Sequence, residues 1–217
     1  MNMKQLIKKI KINTSLRLLS GLHIGAGDSS IEIGGIDNPV IKIGTKEFQP
    51  YIPGSSLKGK MRCLLEQIYG VNEVGGNGND LEKSISIKNL FGFSGENMPS
   101  KIIVRDSYLS EKSLELLQNC NLDMPYTEGK WENSINRIAG TAKNPRLSER
   151  VPADVEFDVE FIINIWDSDK EEELLSLLEE GIKAIENDYL GGSGSRGYGQ
   201  VKFGERKRQD ILFNNNE

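Results

Sequence analysis

Between Asp154 and Trp166 the chain reads DVEFDVEFIINIW, with apolar residues at every second position: Val155, Phe157, Val159, Phe161, Ile163 and Ile165. An extended backbone sends alternate side chains to opposite faces, so this pattern puts all the bulk on one side. Such a strand needs an apolar layer to lie against, and the next stretch supplies one. Leu174, Leu178, Ile182, Ile185 and Tyr189 recur at helical spacing behind an acidic first turn of Asp169, Glu171, Glu172 and Glu173, which suits the positive end of a helix dipole. The spacing predicts a helix over 168–190, capped by Asp167 or Ser168 and ended by Gly191-Gly192.

The same periodicities predict a strand over 8–19, a helix over 55–69, a strand over 101–107, a short helix over 110–118 and a last strand over 198–203. In the helix over 55–69, Leu57, Met61, Leu64, Leu65 and Ile68 form the apolar stripe, Ser55 or Ser56 is the expected N-cap, and Lys58 and Arg62 share a face. The order β-α-β-β-α-β gives an α+β class with a ferredoxin-like, RRM-like architecture. One domain over 1–217 is expected, with insertions at about 20–52, 71–99 and 124–152. In the first insertion Ile31/Ile33 and Val40/Ile41 suggest small strands. The second is Gly/Asn-rich and is expected to be partly disordered around 74–80, with an apolar cluster at Ile85, Ile87, Leu90 and Phe91. The third spreads Arg137, Lys143, Arg146 and Arg150 among Ile135, Ile138 and Leu147. No core absorbs that mixture, so an arm or hairpin is expected, with basic residues and apolar wedges able to part stacked bases. The tail from Glu205 is expected to be loose.

A net charge of −5 argues against nucleic acid only until it is divided by segment. Asp167–Glu180 carries −6, whereas Gly129–Arg150 and Tyr51–Arg62 carry +3 each, so the acidity sits on one solvated helix face. Two cysteines without metal spacing, no leader pattern and no long apolar run point to a reducing cytoplasm and no membrane partner.

The stretch LGGSGSRGYGQVKF, 190–203, is where binding chemistry concentrates. Gly191, Gly192, Gly194, Gly197 and Gly199 free the backbone for positive φ and for turning N–H groups onto an anion. Arg196 adds a phosphate-matching fork and Tyr198 a face for a base. RGYGQVKF nearly spells the RNA-recognition pattern, with Gln200 replacing an aromatic. Gly54–Lys60 matches a phosphate-loop pattern, but Met61 replaces the metal-binding hydroxyl and the helical stripe begins inside the loop, so that reading is rejected. What survives is a helix N-terminus bearing Lys58 and Lys60, suited to a backbone phosphate. His23, the sole histidine, is flanked by Leu22 and Ile24 and reads as a structural residue at a strand end. Asp37, before Asn38-Pro39, reads either as a turn-forming residue or as a loop carboxylate able to take a proton or bind a metal.

Taken together, GLHIG at 21–25, GGIDNPVIK at 34–42, IPGSSLKGKMR at 52–62, NPR at 144–146 and LGGSGSRGYG at 190–199 resemble the RAMP superfamily of CRISPR systems. Within it they resemble the backbone subunit of the type III-A (Csm) interference complex. The resemblance implies copies stacked along CRISPR RNA, a thumb at about 126–150 that kinks the guide–target duplex, and cleavage of single-stranded target RNA. Asp37 matches the cleaving aspartate, working with a divalent metal (Mg²⁺ or Mn²⁺) and leaving a cyclic phosphate. RNA contacts are implied for His23, Lys58, Lys60, Arg62, Arg137, Lys143, Arg146, Gly192, Gly194, Arg196, Gly197 and Tyr198. Implied partners are CRISPR RNA, target RNA, further copies and other Csm subunits, including the large polymerase-like one. Two other readings remain open: a non-cleaving architectural subunit, and a guide-processing endoribonuclease.

Overall fold

A computed structural model describes residues 5–27, 36–71, 78–96 and 98–213. In chain order the elements are β1 (Leu6–Leu18), β2 (Lys42–Ile43), β3 (Gln49–Ile52), α1 (Gly54–Ile68), α2 (Leu81–Phe91), β4 (Ile102–Val104), β5 (Ser107–Leu109) and α3 (Glu111–Asn119). They continue with β6 (Glu128–Ile135), β7 (Ala142–Arg150), β8 (Glu156–Trp166), α4 (Glu171–Glu186), β9 (Val201–Phe203) and β10 (Lys207–Leu212).

The alternation in β8 sets the core. Val155, Phe157, Val159, Phe161, Ile163 and Ile165 are each at most 2% exposed. β8 lies antiparallel to β1, with Leu16 opposite Phe157, Ile12 opposite Phe161 and Ile10 opposite Ile163. All six of those side chains are buried. α1 and α4 pack on each other, burying Leu57, Met61, Leu64 and Leu65 of the first and Leu174, Leu178, Ile182 and Ile185 of the second, and both helices reach the sheet; Ile68, expected in the α1 stripe, is 61% exposed. On the other face Lys11, Asn13, Ser15, Asp158 and Glu160 remain at least partly exposed, as suits an antiparallel sheet with one wet side. β9 pairs with β1, β1 with β8, and β8 with β4, all antiparallel. The four strands of the β-α-β-β-α-β unit therefore stand in the order four, one, three, two, as expected of a split βαβ.

Several local expectations change. The tail is not loose: β10 adds a further strand, Lys8–Asn13 pairing with Lys207–Leu212. Its residues are exposed, so no alternation betrays it. The predicted second strand breaks into β4 and β5 around Asp106, whose Oδ1 accepts the Gly54 N–H (2.8 Å). This contact takes the place of the expected serine cap, for α1 begins at Gly54 after Pro53 with no side-chain cap. Nor does Asp167 or Ser168 cap α4, which starts at Glu171 behind Lys170. The apolar cluster of the second insertion is a helix, α2, capped by Asp80 accepting from the Lys83 N–H (3.0 Å). Ile31/Ile33 and residues 74–77 lie outside the described residues.

Phe161→Ala removes an aromatic from the middle of this layer and should cost about 3–5 kcal/mol in urea unfolding. β10 is tied down by charge. Lys8 donates to Glu171, which with Arg208 holds that carboxyl below its usual range despite partial burial, and Arg208 does the same for Asp210. Carboxyls with lowered folded values stabilise above their unfolded pKa and lose that contribution as pH falls through the folded one. Amide exchange over 207–212, corrected for intrinsic rate, should therefore rise selectively below about pH 4.

Candidate nucleic-acid interface

The third insertion leaves the sheet as the expected arm. β6 and β7 form a separate two-stranded sheet, registered from Glu128 opposite Arg150 to Ile135 opposite Ala142. Trp131, Ile135 and the fully exposed Ile138 stand on it beside exposed Arg137, Lys143 and Arg146. Apolar side chains left in water next to cations suit insertion between bases with phosphates alongside.

At the arm's root three distant segments are tied to β7. Asp37 is exposed, and its Oδ2 accepts the Leu147 N–H (2.8 Å), while Oδ1 has no partner among the described residues. Asn38 bridges Ser148, and the Glu149 N–H donates to the Asn38 carbonyl (3.0 Å). His23 Nδ1 lies 2.7 Å from the Glu149 carbonyl. A carbonyl only accepts, so Nδ1 carries the proton and Nε2 is left without a hydrogen-bond partner among the described residues. His23 and Asp37 thus hang from positions two apart on one strand. Glu149, 1% exposed, organises the junction. One oxygen accepts the Val40 N–H (2.9 Å); the other takes the Thr127 hydroxyl (2.5 Å) and Lys42 Nζ (2.5 Å). Sequence reasoning missed Glu149; its one signal is that it is the only acid between residues 133 and 150.

The glycine-rich loop docks on the same root. Gly192 N–H donates to the His23 carbonyl (2.8 Å), Gly199 N–H to the Gly21 carbonyl (2.9 Å) and Gln200 N–H to Ser20 Oγ (3.0 Å). Arg196 and Gly197 N–H groups turn inward to Ser193 and Gly194 carbonyls. Those N–H groups of the loop are therefore spent within the chain and do not face an anion. Glycine is required at Gly191 and Gly199, both with positive φ (78° and 71°); a Cβ there would lie 2.3 Å from the His23 carbonyl oxygen and 2.0 Å from that of Leu190.

Tyr198 corrects another expectation. Its ring is 1% exposed, with Lys130 Nζ 4.4 Å and Arg150 5.3 Å from the centroid, so no face is open to a base. Burial, then the neighbouring Glu132 carboxylate, push its hydroxyl up to about 12. The Arg196 guanidinium, half exposed, pairs with Glu132 (3.2 Å). On α1, Lys58 Nζ donates to Ser100 Oγ (2.7 Å), and burial with Arg62 nearby lowers its pKa. Arg62 donates to Glu66 and to the Gly92 carbonyl, and Lys60 pairs with Asp188 (2.6 Å) above the Tyr189 ring. These three cations have partners within the chain, whereas Arg137 and Lys143 have none among the described residues.

A split-βαβ sheet carrying a basic hairpin and a docked glycine-rich loop defines a class, and a family model agrees: the RAMP superfamily matches residues 15–202, and the chain belongs to it. Its relatives narrow the assignment to the Csm3 family. The chain is 42% identical over 213 residues, covering 95% of itself and 92% of the relative, to the "CRISPR system Cms endoribonuclease Csm3" of Streptococcus thermophilus. It is 39% identical to the protein of that name from Mycobacterium tuberculosis, covering 92% and 88%. Among solved structures it resembles a chain of a Csm3–Csm4 subcomplex of the type III-A CRISPR-Cas interference complex (TM-score 0.58, 27% identity, 96% and 82% covered). It shares its fold with a chain of the type III-B Cmr-beta complex bound to cognate target RNA (TM-score 0.64, 15% identity, 94% and 61% covered). No helix among the described residues is long and apolar enough to cross a membrane.

Glu149→Ala would strand Lys42 and open three hydrogen bonds at the root. A loss of about 3–5 kcal/mol in stability is expected, together with faster proteolysis within 126–150 than elsewhere in the chain.

Proposed function

We propose that this chain is the repeating backbone subunit of a type III-A CRISPR RNA-guided complex, binding CRISPR RNA and cutting the single-stranded target paired with it. The observation that carries the reading is Asp37, whose carboxylate is anchored by one oxygen at the root of a basic, apolar-tipped arm with the other oxygen open. An arm that bends the duplex beside it would turn one target phosphate toward in-line attack by the neighbouring 2′-hydroxyl. In that step the 2′-oxygen loses its proton and bonds to phosphorus, and the 5′-oxygen leaves and is protonated. The products are a cyclic 2′,3′-phosphate and a 5′-hydroxyl. Asp37 would accept the proton or share a cation with the phosphate.

Among the described residues no three His, Cys, Asp or Glu side chains converge as a metal site. Asp37 Oδ1 can supply one ligand to a divalent ion, with phosphate oxygens as the others; once bound, such an ion would offset charge building on the phosphate. Arg137 and Lys143 on the arm, with Arg146 and Arg196 at its root, are the expected phosphate contacts. Lys58, Lys60 and Arg62 would reach RNA only by giving up present partners. Further copies, other Csm subunits and the large polymerase-like subunit are the proposed protein partners. Cys63 and Cys120, both free and exposed, suit a cytoplasmic setting.

The anchoring bond also fits an architectural subunit in which Asp37 only braces β7. One experiment separates the two. In the assembled complex Asp37→Ala should slow target cutting by roughly 10²–10⁴-fold and leave target binding within about twofold. Cutting at the wild-type rate would make Asp37 a brace, and a wild-type complex that binds target without cutting it would make the subunit architectural.

A further inference from the structure

Where the glycine-rich loop meets β6, one carboxylate lies between two guanidinium groups. Glu132 is 9% exposed; Arg196 Nε lies 3.2 Å and Arg146 Nε 3.9 Å from its Oε2. Lys130 and Arg150 cover the adjoining Tyr198 ring. Neither Glu132 Oε2 nor the Tyr198 hydroxyl has an aligned hydrogen bond, although both atoms are buried. That Glu132 oxygen is held by attraction without an aligned bond, and a buried charge held so is poorly compensated. Its two guanidinium partners, by contrast, are about half exposed (51% and 48%), and Arg146 has no other partner among the described residues. Guanidinium forks match phosphate oxygens in pairs. The site is therefore open to an anion from solvent on the side where its own anion is badly bonded.

The two cations also belong to different parts. Arg196 rides on the loop, Arg146 and Glu132 face each other across the arm, and the next residue, Leu147, holds Asp37. We propose that Glu132 is an internal stand-in for an RNA phosphate. In the free chain it clamps the loop to the arm through Arg196, and a phosphate binding between Arg196 and Arg146 displaces it and frees the arm to move. This rests on the RNA-binding reading above. It makes Glu132 an element that weakens RNA binding.

The test measures binding of a labelled single-stranded oligouridine to the full-length protein across a salt series, for wild type, Glu132→Gln, Glu132→Asp and the remote control Glu115→Gln. Glu132→Gln should tighten binding by about two- to fivefold, the worth of one ion pair no longer broken. It should also steepen the salt slope by about 0.7, because no released carboxylate recaptures a cation. Glu132→Asp keeps the charge but falls a methylene short of Arg196, and should tighten binding to a smaller degree. Glu115→Gln should change neither quantity. If wild type binds and both Glu132 variants melt like it yet bind no more tightly, the proposal is overturned and Glu132 is a structural ion pair. If wild type fails to bind RNA, the RNA-binding reading falls and takes this inference with it.

Discussion

The Glu149 carboxylate is what the functional end of this molecule depends on. A charge with 1% exposure is costly to bury. Here the cost is offset by an ammonium, a hydroxyl and a backbone N–H converging on two oxygens. Each donor comes from a different place: the start of the arm, the Asn38-Pro39 segment and β2. The same residue's main chain holds His23 and Asn38. Segments more than a hundred positions apart are thus indexed to one strand, and the position of Asp37 follows from that registration rather than from any contact of its own beyond Leu147.

The glycine-rich loop is the second half of the junction. Its glycines allow a tight backbone approach to Gly21 and His23, so the loop is fixed against the segment that leads to Asp37. Three elements that look independent in sequence, the loop, the histidine segment and the arm, form one contiguous root. The Glu132 pairs tie the arm to the loop, and the Leu147 N–H ties it to Asp37.

Periodicity made the layers legible. The strand after Asp154 is so regular that its buried face could be named residue by residue, and the arm could be expected because its mixture of cations and apolar residues fits no core. For the helix that follows, Leu174, Leu178, Ile182 and Ile185 are buried as named, whereas Tyr189 lies beyond α4, half-buried, and Leu177 went unnamed. Contacts between distant residues were not legible. The α1 cap is Asp106, fifty-two positions away, where local rules point to serine. β10 carries no alternation because both its faces are wet. Tyr198 reads as a stacking face beside Arg196, but the arm returns over it with Lys130 and Arg150. Glu149 reads as one more polar residue on an exposed hairpin until its three partners are brought to it.

β10 has a consequence at a larger scale. An open sheet margin carries the hazard of fusing with that of another chain, each borrowing a strand from the next. Here the margin beyond β1 is closed by a strand bearing Lys207, Arg208 and Asp210, a composition that discourages strand-to-strand annealing. A molecule closed in this way meets its own kind without its sheet running on into a continuous ribbon.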